Sequence, residues 1–236
     1  MDTYSPRRLP VLPNNKVVGL PDIEMTITAR NNYDMHLLSR LNKGDEFILS
    51  LSNSDDVYGD FDNLILPGVR VVGCLCRVVE VTPVPQGLKA VVMGKSAVDL
   101  TDFNVDSVSG TVMATVSQRP VYQREDAKIY EMLGKFTSSY TSLRKKYPQL
   151  PELVDFSQTV PDILNVPYHI AAFLGTANLT KQLILEEKDP IEKFRLCISD
   201  LDRFNLDSKI EYDIQKQVSD SIDKNQREYV LREKMK

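Results

Sequence analysis

Apolar positions change rhythm once along this chain, near Arg119-Pro120. Before that point they come in short β-branched runs punctuated by Gly, Pro, Asn and Asp: residues 16–18, 24–29, 46–51, 69–81, 88–93 and 111–116. Such runs predict strands of a small, mostly antiparallel sheet or barrel, with one helix around Tyr33-Leu41. After it, Ile129, Leu133, Phe136, Tyr140, Leu143 and Tyr147 recur at alternating spacings of four and three, which places them on one stripe of a helix that Pro148 ends. The expected fold class is α+β, with a β-rich domain over 1–118 and an α-helical domain over 119–236.

Further helix starts are legible downstream. Asn165 before Pro167 can cap a helix running through Ala172 and Leu174, Thr180 can cap one over 181–187, and Asp189-Pro190 opens the longest. Along that last helix Ile191, Phe194, Ile198 and Leu201, then Ile210, Ile214, Val218 and Ile222, keep one apolar face. A face of this kind packs either on the preceding helices or on another copy of the chain. The sequence stops in mid-helix at Lys236 without Gly, Pro or Asn, an ending that predicts a piece of a longer protein.

Composition narrows the function classes more than it names one. The 236 residues, 42% of them hydrophobic, allow one or two domains with real cores. No run approaches the roughly 20 apolar residues of a membrane helix, and MDTYSPRRLPVLP carries no signal-peptide core, so the expected location is the cytoplasm and no membrane partner is expected. Three cysteines fit a reducing compartment. A net charge of -4, from 29 basic and 33 acidic residues, gives no strong nucleic-acid signal and favours protein partners.

Catalytic and metal chemistry finds no support. Gly94-Lys95-Ser96 matches only the close of a phosphate-binding loop, because Lys89 stands where its first glycine belongs. Cys74 and Cys76 share one face of a strand but lack the second ligand pair that zinc requires, and Cys197 stands alone, so all three read as small core residues. His36 and His169 lie in separate domains without a nucleophile-base-orienter arrangement. Asp55, Asp56, Asp60 and Asp62 lack the carboxylate spacing of a calcium loop and read as a solvated segment.

Three segments in order resemble the N-terminal region of Lon-type ATP-dependent proteases. Leu9-Pro10-Val11-Leu12-Pro13 is similar to the family's opening strand. Residues 76–87, Cys-Arg-Val-Val-Glu-Val-Thr-Pro-Val-Pro-Gln-Gly, are similar to its RIVEVxPxPxG-like centre, and physically they join two Val-rich strands through a Pro/Gly turn. Residues 225–236, NQREYVLREKMK, resemble the helix by which the family approaches its ATPase module. The chain departs from the family at Asn14-Asn15-Lys16, where a Leu-Arg and a Phe-Pro-Gly run are usual, and in the acidic stretch 52–63.

The resemblance implies a PUA-like β-rich domain followed by a helical bundle with a long protruding helix. It implies a role in selecting unfolded or degron-bearing protein substrates and in assembling a homohexamer. No cofactor is expected in this chain; ATP and Mg belong to the parent, as does a Ser-Lys protease dyad. Holding unfolded segments requires exposed apolar groups, and Pro21, Tyr33, Met35, Tyr58 and Phe61 are the candidates for that surface. Tyr229, Val230, Leu231 and Met235 are the candidates for an assembly interface, although the isolated chain is expected to be a monomer or weak dimer. A standalone protein-interaction adaptor on the same β domain is the alternative.

Overall fold

The computed structural model describes residues 7–52, 68–120, 125–206, 209–210 and 213–214. Strands β1 (Arg7–Asn14), β2 (Glu24–Ala29), β3 (Glu46–Leu51), β4 (Val72–Val84), β5 (Gly87–Val105) and β6 (Val112–Gln118) form one sheet, with helix α1 (Asn32–Ser39) between β2 and β3. Its order is β2-β5-β4-β3-β1-β6, and β6 pairs with β5 as well. Five strands therefore close on themselves as a barrel, which removes their edges, while β2 hangs on β5 outside the ring. Only β1 and β3 run parallel among the described pairs.

The closure depends on the length of β5. Residues 88–93 pair with β2 and residues 98–105 with β6, so one strand serves the arm and the barrel in turn. Between the two halves the register against β4 slips: Leu75 faces Ser96 and Cys76 faces Gly94, leaving Lys95 as the extra residue of a bulge. The β4-β5 hairpin turns between Val84 and Gly87, as its Pro/Gly sequence predicts. Gly94-Lys95-Ser96 is thus strand, and Cys74, Cys76 and Cys197 are buried thiols.

Residues 16–18, expected as a strand, form a loop instead. The Asn14 carboxamide accepts the N–H groups of Lys16 and Val17, each at 2.8 Å, which ends β1 in a tight turn. Val18 and Leu20 are nevertheless buried. The chain then crosses β5 at Gly94, whose N–H donates to Ile23 O (3.0 Å) and whose carbonyl accepts from Asp22 N (3.0 Å).

Tyr33 corrects a sequence expectation. It is 5% exposed, because its hydroxyl donates to Val11 O at 2.8 Å and accepts from Val112 N at 3.0 Å, tying α1 to β1 and β6. With both polar contacts made internally, the ring belongs to the core and offers no surface to a partner. Tyr33→Phe leaves a buried N–H and C=O without this partner, and urea unfolding is expected to show a loss of about 1–3 kcal/mol with the fold retained.

The helical part comprises α2 (Asp126–Lys146), α3 (Phe156–Thr159), a 3-10 turn (Ile163–Asn165), α4 (Val166–Phe173), α5 (Asn178–Glu186) and α6 (190–206). The stripe predicted on α2 is buried throughout, from Ile129 to Tyr147 just past its end. α5 starts at Asn178, one turn earlier than a Thr180 cap predicts. Asn165 stands before α4 but spends its amide on Asp22 Oδ2 (2.6 Å) rather than on the helix end. On α6, Asp189 caps by accepting Ile191 N at 2.8 Å, and the buried line runs through Phe194, Cys197 and Leu201, with Ile191 and Ile198 flanking it half-buried.

Helices and barrel share one continuous core. Buried polar ties cross between them: Gln182 Nε2 donates to Val72 O at 2.9 Å, and Arg119 donates to Asp99 Oδ1 (2.6 Å) and Glu186 O (2.5 Å). On the barrel, Glu46 receives both Arg7 (2.7 Å) and Arg77 (2.9 Å). Burial pulls the Glu46 carboxyl upward, but the hydrogen bonds and charges of the two arginines win and hold it below its usual range.

Candidate functional site

The framework offers a partner the outer edge of β2 and a cleft where barrel meets helices. The hydrogen-bond alternation of an antiparallel pair settles which groups the edge presents. Gly94 N–H bonding Ile23 O makes Ile23 and Gly94 a bonded pair, so Met25 with Val92, Ile27 with Ala90 and Ala29 with Leu88 are bonded too. The N–H and C=O of Glu24, Thr26 and Thr28 consequently point away from β5. Among the described residues no other strand pairs with β2. The side chains of Glu24, Thr26 and Thr28 are exposed, and Ile23 and Met25 beside them in the chain are half-buried against the core.

The predicted surface is therefore divided. Met35 is half-buried on α1, packed against the core. Pro21 is buried and lines the cleft, while Tyr33 is committed to the core. Tyr58, Phe61, Tyr229, Val230, Leu231 and Met235 lie outside the described residues, as do the four aspartates of the acidic stretch. The open edge of β2 is the feature that sequence reading does not single out. An alternation of exposed Glu24, Thr26 and Thr28 with apolar Met25 and Ile27 is its trace in the sequence.

The cleft encloses about 240 Å³ between the β5 bulge, the end of β6, the 3-10 turn and the start of α6. Lys193 Nζ lies 4.5 Å over the Tyr168 ring and hydrogen-bonds the Tyr168 hydroxyl. Burial, then the neighbouring Arg119 charge, lowers the Lys193 ammonium to about 8, with Glu187 opposing. Burial pushes the Tyr168 hydroxyl upward, so it stays protonated. His169, next along α4, is lowered by burial and its Nε2 has no hydrogen-bond partner among the described residues. No group of three His, Cys, Asp or Glu able to hold a metal occurs among the described residues.

A closed barrel with an appended edge strand, followed by packed helices, matches known proteins in sequence and in fold. A family profile for the ATP-dependent protease La (LON) substrate-binding domain matches residues 8–203. The chain belongs to the Lon substrate-binding domain family. Lon protease of Xanthomonas oryzae pv. oryzae is 26% identical over 234 residues, covering 97% of this chain and 27% of that protein. The chain thus spans a little over a quarter of the length of this curated relative.

Solved Lon structures show the same architecture. The N-terminal domain of a Mycobacterium avium complex Lon protease superposes with a TM-score of 0.61 at 14% identity, covering 85% of this chain and 99% of that one. A Lon N-terminal domain protein from Xanthomonas campestris gives 0.52 at 17% identity, over 82% and 98%. At these identities the likeness speaks for the fold. Within this Lon family fold, the described helices include none long and apolar enough to cross a membrane.

Proposed function

We propose that this chain selects polypeptide substrates for an ATP-dependent protease by taking an extended segment as an added strand along the outer edge of β2. The observation that carries this reading is the row of outward backbone groups at Glu24, Thr26 and Thr28, beside half-buried Ile23 and Met25. Backbone pairing is indifferent to sequence, and the bordering apolar groups favour segments that a folded protein would bury. Unfolded and degron-bearing regulatory proteins are the substrates in this reading. Tyr58 and Phe61 add aromatic contacts to the same task, and Pro21 marks where the edge passes into the cleft.

The parent we infer is a cytoplasmic homohexamer with an AAA+ ATPase, served by ATP and Mg, and a Ser-Lys peptidase dyad, all outside this chain. Residues 1–118 select substrate in it, and 119–236 lead toward the ATPase module. Leu206, Ile210 and Ile214 are apolar and 58%, 50% and 54% exposed, which supports packing of this part of the chain against a neighbouring copy, the coiled coil expected of the parent. Tyr229, Val230, Leu231 and Met235 extend that assembly surface.

Binding of a fluorescently labelled, permanently unfolded protein tests the reading. Thr26→Pro removes an outward N–H without touching the β2-β5 bonds, and edge strands tolerate proline. It is expected to weaken binding about tenfold or more with little change in thermal midpoint. Unaltered affinity in that variant would remove the strand edge from the account.

A further inference from the structure

We propose that the cleft between the β5 bulge and the start of α6 is an oxyanion-binding site in which Lys193 is the central ligand and Arg119, Lys95 and Lys188 supply the surrounding charge. This inference stands on geometry separate from the β2 edge. Four cations and two carboxylates, Asp162 and Glu187, line the cavity. Both carboxylates are already engaged by backbone: Asp162 accepts Leu164 N (3.1 Å), and Glu187 accepts Lys188 N (2.7 Å) and Asp189 N (2.9 Å).

Lys193 is the informative member. Among the described residues no carboxylate lies within ion-pair distance of it, and its only hydrogen bond given by the structure is to the neutral Tyr168 hydroxyl. An ammonium withdrawn from water without a counter-ion is costly, and Arg119, itself paired with Asp99, adds repulsion. An oxyanion entering the cavity removes both costs. The β5 bulge serves the same end: Lys95 is its extra residue and lines the cleft. Pro21, Ala97, Leu164 and Leu185 provide apolar walls that shield such a contact from water.

The chemistry recognised is a carboxylate or phosphate group, carried either by a bound polypeptide or by a free inorganic ion. Inorganic phosphate is titrated into the full chain while the lysine Cε–Hε NMR signals are followed, with chloride at equal ionic strength as reference. A parallel arm uses one short apolar peptide with a free or an amidated C-terminus. Saturable movement of the Lys193, Lys95 and Lys188 signals is expected, and in Lys193→Met the Lys95 and Lys188 signals are expected to report an affinity about tenfold lower. The exposed pair Lys95→Ala with Lys188→Ala, which cannot disturb the core, is expected to weaken it about threefold.

Binding by the free-acid peptide, displaced by phosphate, assigns the site to a polypeptide carboxylate. Binding by phosphate alone assigns it to a free ion. A response equal in chloride, or an affinity unchanged in Lys193→Met, overturns the proposal. Loss of peptide binding in Thr26→Pro with phosphate binding intact would touch only the strand-edge reading.

Discussion

Gly94→Val is expected to lower the unfolding free energy by more than about 3 kcal/mol, a value at the upper end for a single overpacking change. A Cβ at this position would lie 1.9 Å from Leu20 O and 3.2 Å from Cys74 Sγ. The first of these is backbone, so no side-chain rotation relieves the clash. The crossing segment must leave β5, and with it go the two hydrogen bonds between Gly94 and residues 22–23 that set the β2 register. Gly134→Ala is the natural control, since nothing lies within 4 Å of a Cβ there. In the middle of α2 it should stabilise by roughly 0.5–1 kcal/mol through helix propensity. Equilibrium urea unfolding of both variants distinguishes steric conflict from a general cost of adding methyl groups.

Tyr140→Ala is expected to cost about 4 kcal/mol. The residue is fully buried and stands at the centre of an aromatic group: its ring centroid lies 6.3 Å from Phe136, 5.4 Å from Phe173 and 6.4 Å from Phe204. Deleting it opens a cavity that three helices would have to refill, and it strips Pro151 O of the hydroxyl donor at 3.0 Å. Tyr140→Phe keeps the ring and loses only that bond, so about 1 kcal/mol is expected. Similar losses in the two variants would show that the helices relax around the missing ring.

The helical half was the easier to read from residues. Its amphipathic stripe from Ile129 to Tyr147 needs only neighbours three and four apart, information that is local in the chain. The barrel is different, because its closure rests on β5 pairing with β4 along residues 87–99 and with β6 along residues 98–105, partners far apart in sequence. Residues 94–105 interrupt their apolar positions with Gly94, Asp99, Asp102 and Asn104, so only the first part of β5 was recognisable as a strand. In the sequence Tyr33 reads as a surface aromatic on the early helix. What decides its position is a pair of backbone partners, Val11 and Val112, far away in sequence.

The same distinction explains the candidate sites. Apolar residues could be picked out as possible contacts, but an open edge is a property of strand order, which no local pattern reports. Lys193 carries no sequence mark that separates it from the other charges of α6; it is half-buried because α4 brings Tyr168 against it.

Amide hydrogen exchange along β2, with and without a permanently unfolded protein, tests the central claim most directly. In the free chain the outward amides of Glu24, Thr26 and Thr28 should exchange fast, while Met25, Ile27 and Ala29, bonded to β5, exchange slowly. An added strand predicts that the outward amides become protected on binding and the inward ones change little. Binding that leaves Glu24, Thr26 and Thr28 exchanging at their free rates would contradict selection of substrates at this edge.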